Sequence, residues 1–407
     1  MKKLLCTFFA VLLAVSVYGC GKSSDNVKND AEGEATEIQT ENKTEENKET
    51  VQMPTFLSNS YYRLTHDKEL NVAYIGGSIT QGAGASSYDK SWVALTTQWL
   101  SEQFPDANIN ENNSGISNTG SNYGIFRLRE DIINVAVPDL IFIEFTSNDW
   151  GRFGELNISR QNESIIRKLY EVNPKMDIVF LFTSFSYDNN CRRASTALAN
   201  HYNLMIIDPG ADLKTRIDKE EGGVYDKYSP DKIHPSDLGH AIYLEHISEQ
   251  FSEYLTDKAP ENPQYLDFEI PEPLNKNGLF MNPDIIEPIL LNVPADFEYK
   301  KTDIKLRQKQ YDHYVGTDVE GAEYTFSFEG TGFGLLVYKT AKVSDIMYSV
   351  DGGEYVDYAI GDMHNYNHLQ MYIMEYDLEP GKHTVNIKNK ASQYGTAFNI
   401  LGICINK

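Results

Sequence analysis

Four short runs of almost unbroken apolar residues do most to limit what this chain can fold into. They are Val72-Ala73-Tyr74-Ile75, Leu140-Ile141-Phe142-Ile143-Glu144-Phe145, Ile178-Val179-Phe180-Leu181-Phe182 and Leu204-Met205-Ile206-Ile207. A strand with one wet face alternates apolar and polar side chains, so runs this continuous belong to strands covered on both faces. Between them, Trp92, Leu95 and Trp99 recur at helical spacing, as do apolar residues in segments 123–134 and 159–171. Strand and helix in alternation predict an α/β unit over residues 54–258, with a parallel sheet between helical layers. In such sheets the ligand site lies beyond the carboxyl ends of the strands.

The period changes after a stretch punctuated by Pro260, Pro263, Pro271 and Pro273, which predicts an extended connector over 259–274. In residues 275–407, Tyr324, Phe326 and Phe328 alternate with Thr325 and Ser327, and Asp351-Gly352-Gly353 and Glu379-Pro380-Gly381 read as hairpin turns. This region is expected to be an antiparallel β-sandwich, and it resembles jelly-roll modules by analogy of fold. Each of the two regions is expected to own a core.

Lys2 and Lys3 precede an apolar run from Leu4 to Val17 that is too short to span a bilayer. Val17-Tyr18-Gly19-Cys20 follows and resembles a bacterial lipobox, so residues 1–19 are expected to be a signal peptide and Cys20 the lipidated N-terminus. Residues 20–53 are expected to be a disordered acidic tether. Its 21–52 stretch holds no aromatic residue and mixes nine acidic with four basic side chains, too little apolar surface to offset the entropy of ordering. As a flexible coil it reaches about 30 Å. Loss of Lys2 and Lys3 would take the formal charge from −23 to −25, which argues against nucleic acid and against peripheral binding to anionic lipid. Contact with a membrane is therefore expected through the lipid on Cys20 alone. With Cys6 in the signal and Cys20 lipidated, Cys191 and Cys404 remain and are expected to be buried free thiols.

Ser78 follows the first buried strand in Ile75-Gly76-Gly77-Ser78-Ile79-Thr80, where two glycines suit a sharp turn that exposes a hydroxyl at the strand's end. The segment lacks the second glycine of a G-x-S-x-G elbow, and a helix cap or a phosphate loop would look similar. Asp231-Lys232-Ile233-His234-Pro235 precedes a helix marked by Leu238, Ala241, Leu244, Ile247 and Phe251. A carboxylate three residues before a histidine can accept from one ring nitrogen and leave the other facing a serine. Phe145-Thr146-Ser147-Asn148-Asp149 closes another buried strand, so the Asn148 amide is expected in the same crevice, suited to a developing oxyanion. The polar stretch Asn113 to Ser121, read as a loop after the second strand, offers further backbone N–H groups.

These four segments, at 76–80, 113–121, 147–149 and 231–235, fall in the order and spacing of the blocks of the SGNH (GDSL-like) hydrolases, which about 200 residues of this chain resemble. The resemblance implies a flavodoxin-like α/β/α fold with Ser78 as nucleophile, His234 as general base and acid, and Asp231 as its orienter. It implies an oxyanion hole made by the Ser78 N–H, the Asn148 side chain and one N–H of the second block. The family's glycine in that block aligns with Asn118, while the nearest glycine downstream is Gly120. Thr146 stands where the third block usually carries glycine.

The expected function is hydrolysis of acyl esters, acetyl foremost, on an extracellular polysaccharide or glycoconjugate by a lipid-anchored enzyme of the cell surface or envelope. No metal or organic cofactor is implied. His364 and His368 with Asp362 read as surface residues, since i and i+4 on a strand sit too far apart to share an ion. Trp92 and Trp99 read as core, and His240 and His246 carry no assigned role. A non-catalytic, carbohydrate-binding surface lipoprotein is the alternative, disfavoured because binding alone has no use for all four blocks. A lipase acting on the anchoring membrane is disfavoured because no amphipathic lid is evident. Wild-type protein is expected to fractionate with membranes and Cys20→Ala to stay unlipidated; labelled lipid recovered on Cys20→Ala would refute the anchor.

Overall fold

The computed structural model describes residues 56–407 apart from 186–187, 221–222, 224, 267–268 and 361–367. The signal segment, Cys20 and all of the tether expected from the sequence lie outside the described residues, as do Asp362 and His364. His368 opens a strand of the second region.

Strands β1 (Glu69–Gly76), β2 (Asn108–Gly115), β3 (Leu140–Glu144), β4 (Asp177–Leu181) and β5 (Met205–Ile207) form one parallel sheet in the order β2-β1-β3-β4-β5. The four apolar runs fall on β1, β3, β4 and β5, and every residue of β3 is buried. β2 has no such run. It reads Asn-Ile-Asn-Glu-Asn-Asn-Ser-Gly, lies at the sheet edge and buries only its last three residues. A strand with one neighbour and a wet flank has no need of continuous apolar character. Asn113, Ser114 and Gly115, read above as the start of a loop, therefore belong to β2.

Side chains on opposite faces of β1 enter different cores. Val72 and Tyr74 pack with Trp92, Phe142 and Phe251 under helices Trp92–Gln103, Pro209–Lys219 and Asp237–Ser252. Ala73 and Ile75 face helices Ser121–Leu128, Glu155–Val172 and Asn190–Tyr202. In this strand order the connections leave β1 toward β2 on one side and reach β3 on the other, opening a crevice above the carboxyl ends of β1 and β3.

The second region contains β6 (Pro283–Ile286), β7 (Glu298–Leu306), β8 (Lys309–Thr317), β9 (Glu323–Gly330), β10 (Gly332–Lys339), β11 (Asp345–Val350), β12 (Val356–Tyr358), β13 (His368–Glu375), β14 (Gly381–Lys390) and β15 (Phe398–Asn406). They pair as a sheet β13-β10-β15-β8-β7, with β6 on β15, facing a sheet β12-β11-β14-β9. The strict alternation of β9 turns Tyr324, Phe326 and Phe328 into the interior between the sheets. Asp351 and Gly352 both take positive φ in the turn between β11 and β12, as a tight hairpin requires. Glu379-Pro380-Gly381 differs from its reading as a hairpin. It leads from β13 of one sheet into β14 of the other, so it is a crossover between sheets.

The larger sheet is covered twice. Phe398, Ile400, Ile403 and Ile405 of β15 face the smaller sheet, whereas Leu401 and Cys404 join the core of the α/β unit. Phe280 packs edge-on against Phe126 at 5.5 Å and against Tyr376 at 5.7 Å. Polar bonds cross the same contact: the Asn122 amide donates to the Met371 carbonyl at 2.6 Å and the Gln161 amide to the Tyr376 hydroxyl at 2.6 Å. The connector is pinned as well, since the buried Glu163 carboxylate accepts from the N–H groups of Leu274 (2.5 Å) and Asn275 (2.7 Å). Cys191 and Cys404 are both buried and free.

Each region owns a core, as expected, and the two share a third that the sequence did not suggest. Residues 54–258 produced alone would expose the apolar faces of helices Ser121–Leu128 and Glu155–Val172, and are expected to aggregate or to lose cooperative unfolding, while the whole chain unfolds in one transition. A soluble, monomeric fragment melting at the temperature of the intact protein would contradict this.

Candidate active site

Ser78 opens a four-residue helix, Ser78–Gln81, directly beyond β1. The two glycines before it are required for space. Gly77 has φ −91°, which any residue adopts, but a Cβ on it would sit 1.9 Å from Asn148 Oδ1. A Cβ on Gly76 would lie 2.1 Å from Thr80 Oγ1 and 2.5 Å from the Glu144 carbonyl. The end of β1 and the loop after β3 thus close on each other to a distance no side chain permits. Trp92 donates from its indole N–H to the Ile79 carbonyl at 3.1 Å and holds the short helix from beneath.

Asp231 arranges its own loop. Its Oδ1 accepts from the N–H groups of Ile233 (2.9 Å) and His234 (2.7 Å), and Lys232 between them takes the left-handed conformation, φ 65°. The same folding brings Oδ2 to 2.6 Å from His234 Nδ1. On the other side of the ring, His234 Nε2 lies 2.7 Å from Ser78 Oγ. Partial burial pushes the Asp231 carboxyl up, but the bonds from the His234 ring and from the two N–H groups outweigh it and leave the group below its ordinary value. It stays an ionised acceptor for the ring.

Asn148 follows β3 in the short helix Thr146–Asp149, and its amide lies against Gly77, one residue before Ser78. Asn118 and Gly120 occupy the turn between β2 and helix Ser121–Leu128, with different reasons for being what they are. Asn118 takes φ 62°, a conformation asparagine tolerates better than other residues with a side chain. Gly120 has ordinary dihedrals but no room, because a Cβ there would meet Asp149 Oδ1 at 2.3 Å. The turn is tied to the nucleophile's helix through Gln81 Oε1, which accepts from the Ser117 N–H and hydroxyl at 2.9 and 2.6 Å. Arg152 donates to the Asn118 carbonyl and side-chain oxygen at 3.2 and 2.5 Å.

Several supporting residues escaped the sequence reading. Arg127 is buried beneath the site and donates to the carbonyls of Gly76 (3.0 Å) and Ser114 (2.6 Å), binding the ends of β1 and β2 together. His240 is buried too; its Nδ1 accepts from the Trp92 N–H and its Nε2 donates to the Ala83 carbonyl, both at 3.2 Å. Burial pushes that imidazole down to about 4, so it is neutral and holds the Gly82-Ala83-Gly84 loop. Gly84 was the available signal, for it takes φ 92° and its Cα backs onto Pro235 and His234. Beside Ser147 and Ile233 opens a cavity of about 370 Å³ lined by Trp150, Phe185, Tyr225 and Lys232. Trp150 and Ile233 are 54% and 56% exposed on its rim. Among the described residues no group of three or more His, Cys, Asp or Glu side chains is placed to hold a metal ion.

Residues 74–242 match the GDSL-like lipase/acylhydrolase family. They form a GDSL-like acylhydrolase domain. This domain and the β-sandwich together resemble a two-domain esterase active on acetylated mannans, co-crystallised with mannopentaose, with 21% identity and a TM-score of 0.70 over 86% of this chain and 95% of that one. A second structure of an esterase of that description superposes with a TM-score of 0.67 over the same shares. A catalytic mutant of an acetylxylan esterase from Geobacillus stearothermophilus covers 44% of this chain and 93% of its own, at 22% identity and a TM-score of 0.36. No curated protein sequence matches the chain. The acylhydrolase domain and the following β-sheets are therefore one known arrangement, and acyl ester hydrolysis is the chemistry of the family.

The contact between Gly84 and the His234 loop is directly testable. In Gly84→Ala the new methyl would meet the Pro235 carbonyl at 2.2 Å and His234 Cβ at 3.0 Å, so the ring must move from Ser78. A displacement near 1 Å is expected to lower kcat on a soluble ester by about 10²-fold; unchanged kcat with unchanged Tm would show that the loop does not set the position of His234.

Proposed function

We propose that the protein is a serine esterase that removes acyl groups, acetyl foremost, from an extracellular polysaccharide or glycoconjugate, working from a membrane to which Cys20 anchors it. One observation carries the chemistry: Ser78 Oγ, the His234 ring and the Asp231 carboxylate form an unbroken chain of bonds of 2.7 and 2.6 Å at the crevice where β1 and β3 end.

In this reading Ser78 Oγ attacks the acyl carbonyl while His234 Nε2 takes the hydroxyl proton, and Asp231 Oδ2 stabilises the imidazolium through Nδ1–H. The carbonyl oxygen becomes an oxyanion held by the Ser78 N–H, the Asn148 amide and an N–H of the Asn118–Gly120 turn. As the tetrahedral intermediate collapses, the sugar oxygen leaves with the proton from His234 and the acyl group remains on Ser78. Water, deprotonated by His234, then attacks the acyl-enzyme, frees the acid and restores the serine.

Two features support a bulky sugar as the leaving alcohol. The cavity beside Ser147 and Ile233 is open and flanked by the exposed faces of Trp150 and Ile233, against which a sugar ring packs well. The two-domain arrangement is also that of an esterase active on acetylated mannans. No helix among the described residues is long and apolar enough to cross a membrane.

Ser78→Ala is expected to abolish release of acetate from acetylated mannan, from acetylated xylan and from a small soluble ester, and to abolish labelling by a fluorophosphonate. Asn148→Ala is expected to lower kcat by about 10² to 10³ with little change in KM and to keep slow labelling of Ser78. Labelling at another serine would displace the mechanism, an unimpaired Asn148→Ala would remove Asn148 from the oxyanion hole, and turnover of the soluble ester with none of either glycan would discard those substrates.

A further inference from the structure

The two halves of the site, the Ser78 turn after β1 and the Asn148 loop after β3, are joined beneath by one carboxylate that the mechanism leaves unused. Glu144, the last residue of β3, has no exposed surface. Its Oε2 accepts from the Thr80 hydroxyl at 2.7 Å, and the Gly77 N–H also donates to the carboxylate. Thr80 lies two residues after Ser78 and Gly77 one before it, so both bonds grip the nucleophile's turn. The other oxygen, Oε1, accepts from the Thr183 hydroxyl at 2.6 Å. Thr183 Oγ1 in turn lies 3.0 Å from Ser147 Oγ, next to Asn148, and the Thr183 N–H donates to Thr146 Oγ1 at 2.9 Å.

The hydroxyl protons are ordered by this arrangement. Thr183 has one proton and gives it to Glu144, so between Ser147 and Thr183 the Ser147 hydroxyl donates. Burial pushes the Glu144 carboxyl up to about 7, against the opposing bonds from Thr183, Thr80 and Gly77. A leucine or methionine there would carry no such desolvation cost, and would leave the Gly77 N–H and two hydroxyls without their acceptor.

We propose that Glu144 is a positioning residue that fixes the Ser78 turn and the Asn148 loop relative to each other, through Thr80 and Gly77 on one side and Thr183 and Ser147 on the other. The consequence for catalysis rests on the acyl-transfer reading above; the mechanical coupling does not.

Glu144→Gln keeps shape and volume but cannot accept from both threonine hydroxyls, because its amide nitrogen donates. The Thr183 to Ser147 bond must then reverse or break. The variant is expected to lose at least tenfold in kcat on a soluble ester with KM within twofold of wild type, while its Tm at pH 8 falls by no more than a few degrees, since a desolvated charge has been removed. Hydrogen exchange of peptides spanning 76–80 and 146–149 is expected to accelerate in both. Thr183→Val, which deletes only the bridging hydroxyl, is expected to give the same pattern in milder form, and decides the matter if Glu144→Gln does not fold. Unchanged kcat per folded molecule, or faster exchange confined to one of the two peptides, would overturn the proposal. If the wild type hydrolyses no ester, the acyl-transfer reading fails, and the exchange of the two peptides still decides whether Glu144 couples them.

Discussion

The missing side chains at Gly76 and Gly77 are the constraint on which the rest of the site depends. With any Cβ at Gly77, the Asn148 amide is excluded from its place, and with one at Gly76, Thr80 and the end of β3 are pushed away. The close approach of two adjacent strand ends puts the nucleophile's turn and the Asn148 loop within one crevice. Everything beneath reinforces that approach: Arg127 on the carbonyls of Gly76 and Ser114, Trp92 on Ile79, and Glu144 between Thr80 and Thr183. Buried polar groups of this kind are costly unless fully satisfied, and fully satisfied they specify one arrangement.

The Asp231 loop solves a different problem. A histidine at the end of a long excursion from the sheet has many rotamers and few neighbours to select among them. The Asp231 carboxylate gathers the backbone of Ile233 and His234 with one oxygen and the His234 ring with the other. Loop shape and ring orientation therefore come from a single group. On its far side the loop rests against Gly84, whose own loop is held by the neutral His240.

The β-sandwich is part of the same packed body. Its larger sheet presents one face to the smaller sheet and the other to the helices that carry the Asn118–Gly120 turn and Asn122. A region that in sequence looks like an appended module thus covers apolar helix surface of the acylhydrolase domain that would otherwise face water.

Much of the fold was legible from local pattern because burial on two faces leaves a mark on composition: β1, β3, β4 and β5 read as apolar runs, and β9 as strict alternation. The segments around Ser78, Asn148 and Asp231–His234 were legible for a related reason, since each lies just beyond an identifiable strand or just before an identifiable helix, and Asp231 shapes its loop through bonds to its own neighbours. β2 was not, because an edge strand with a wet flank can be polar throughout. The role of Glu379-Pro380-Gly381 was not either, since a turn's residues set its tightness and not which sheet the next strand joins. That the glycines before Ser78 serve space and not dihedral freedom, that Glu144 and His240 are buried under the site, and that the two regions share a core were decided only by tertiary structure. Each of these depends on what lies across from a residue, and side chains distant along the chain meet only once the sheets and helices have packed.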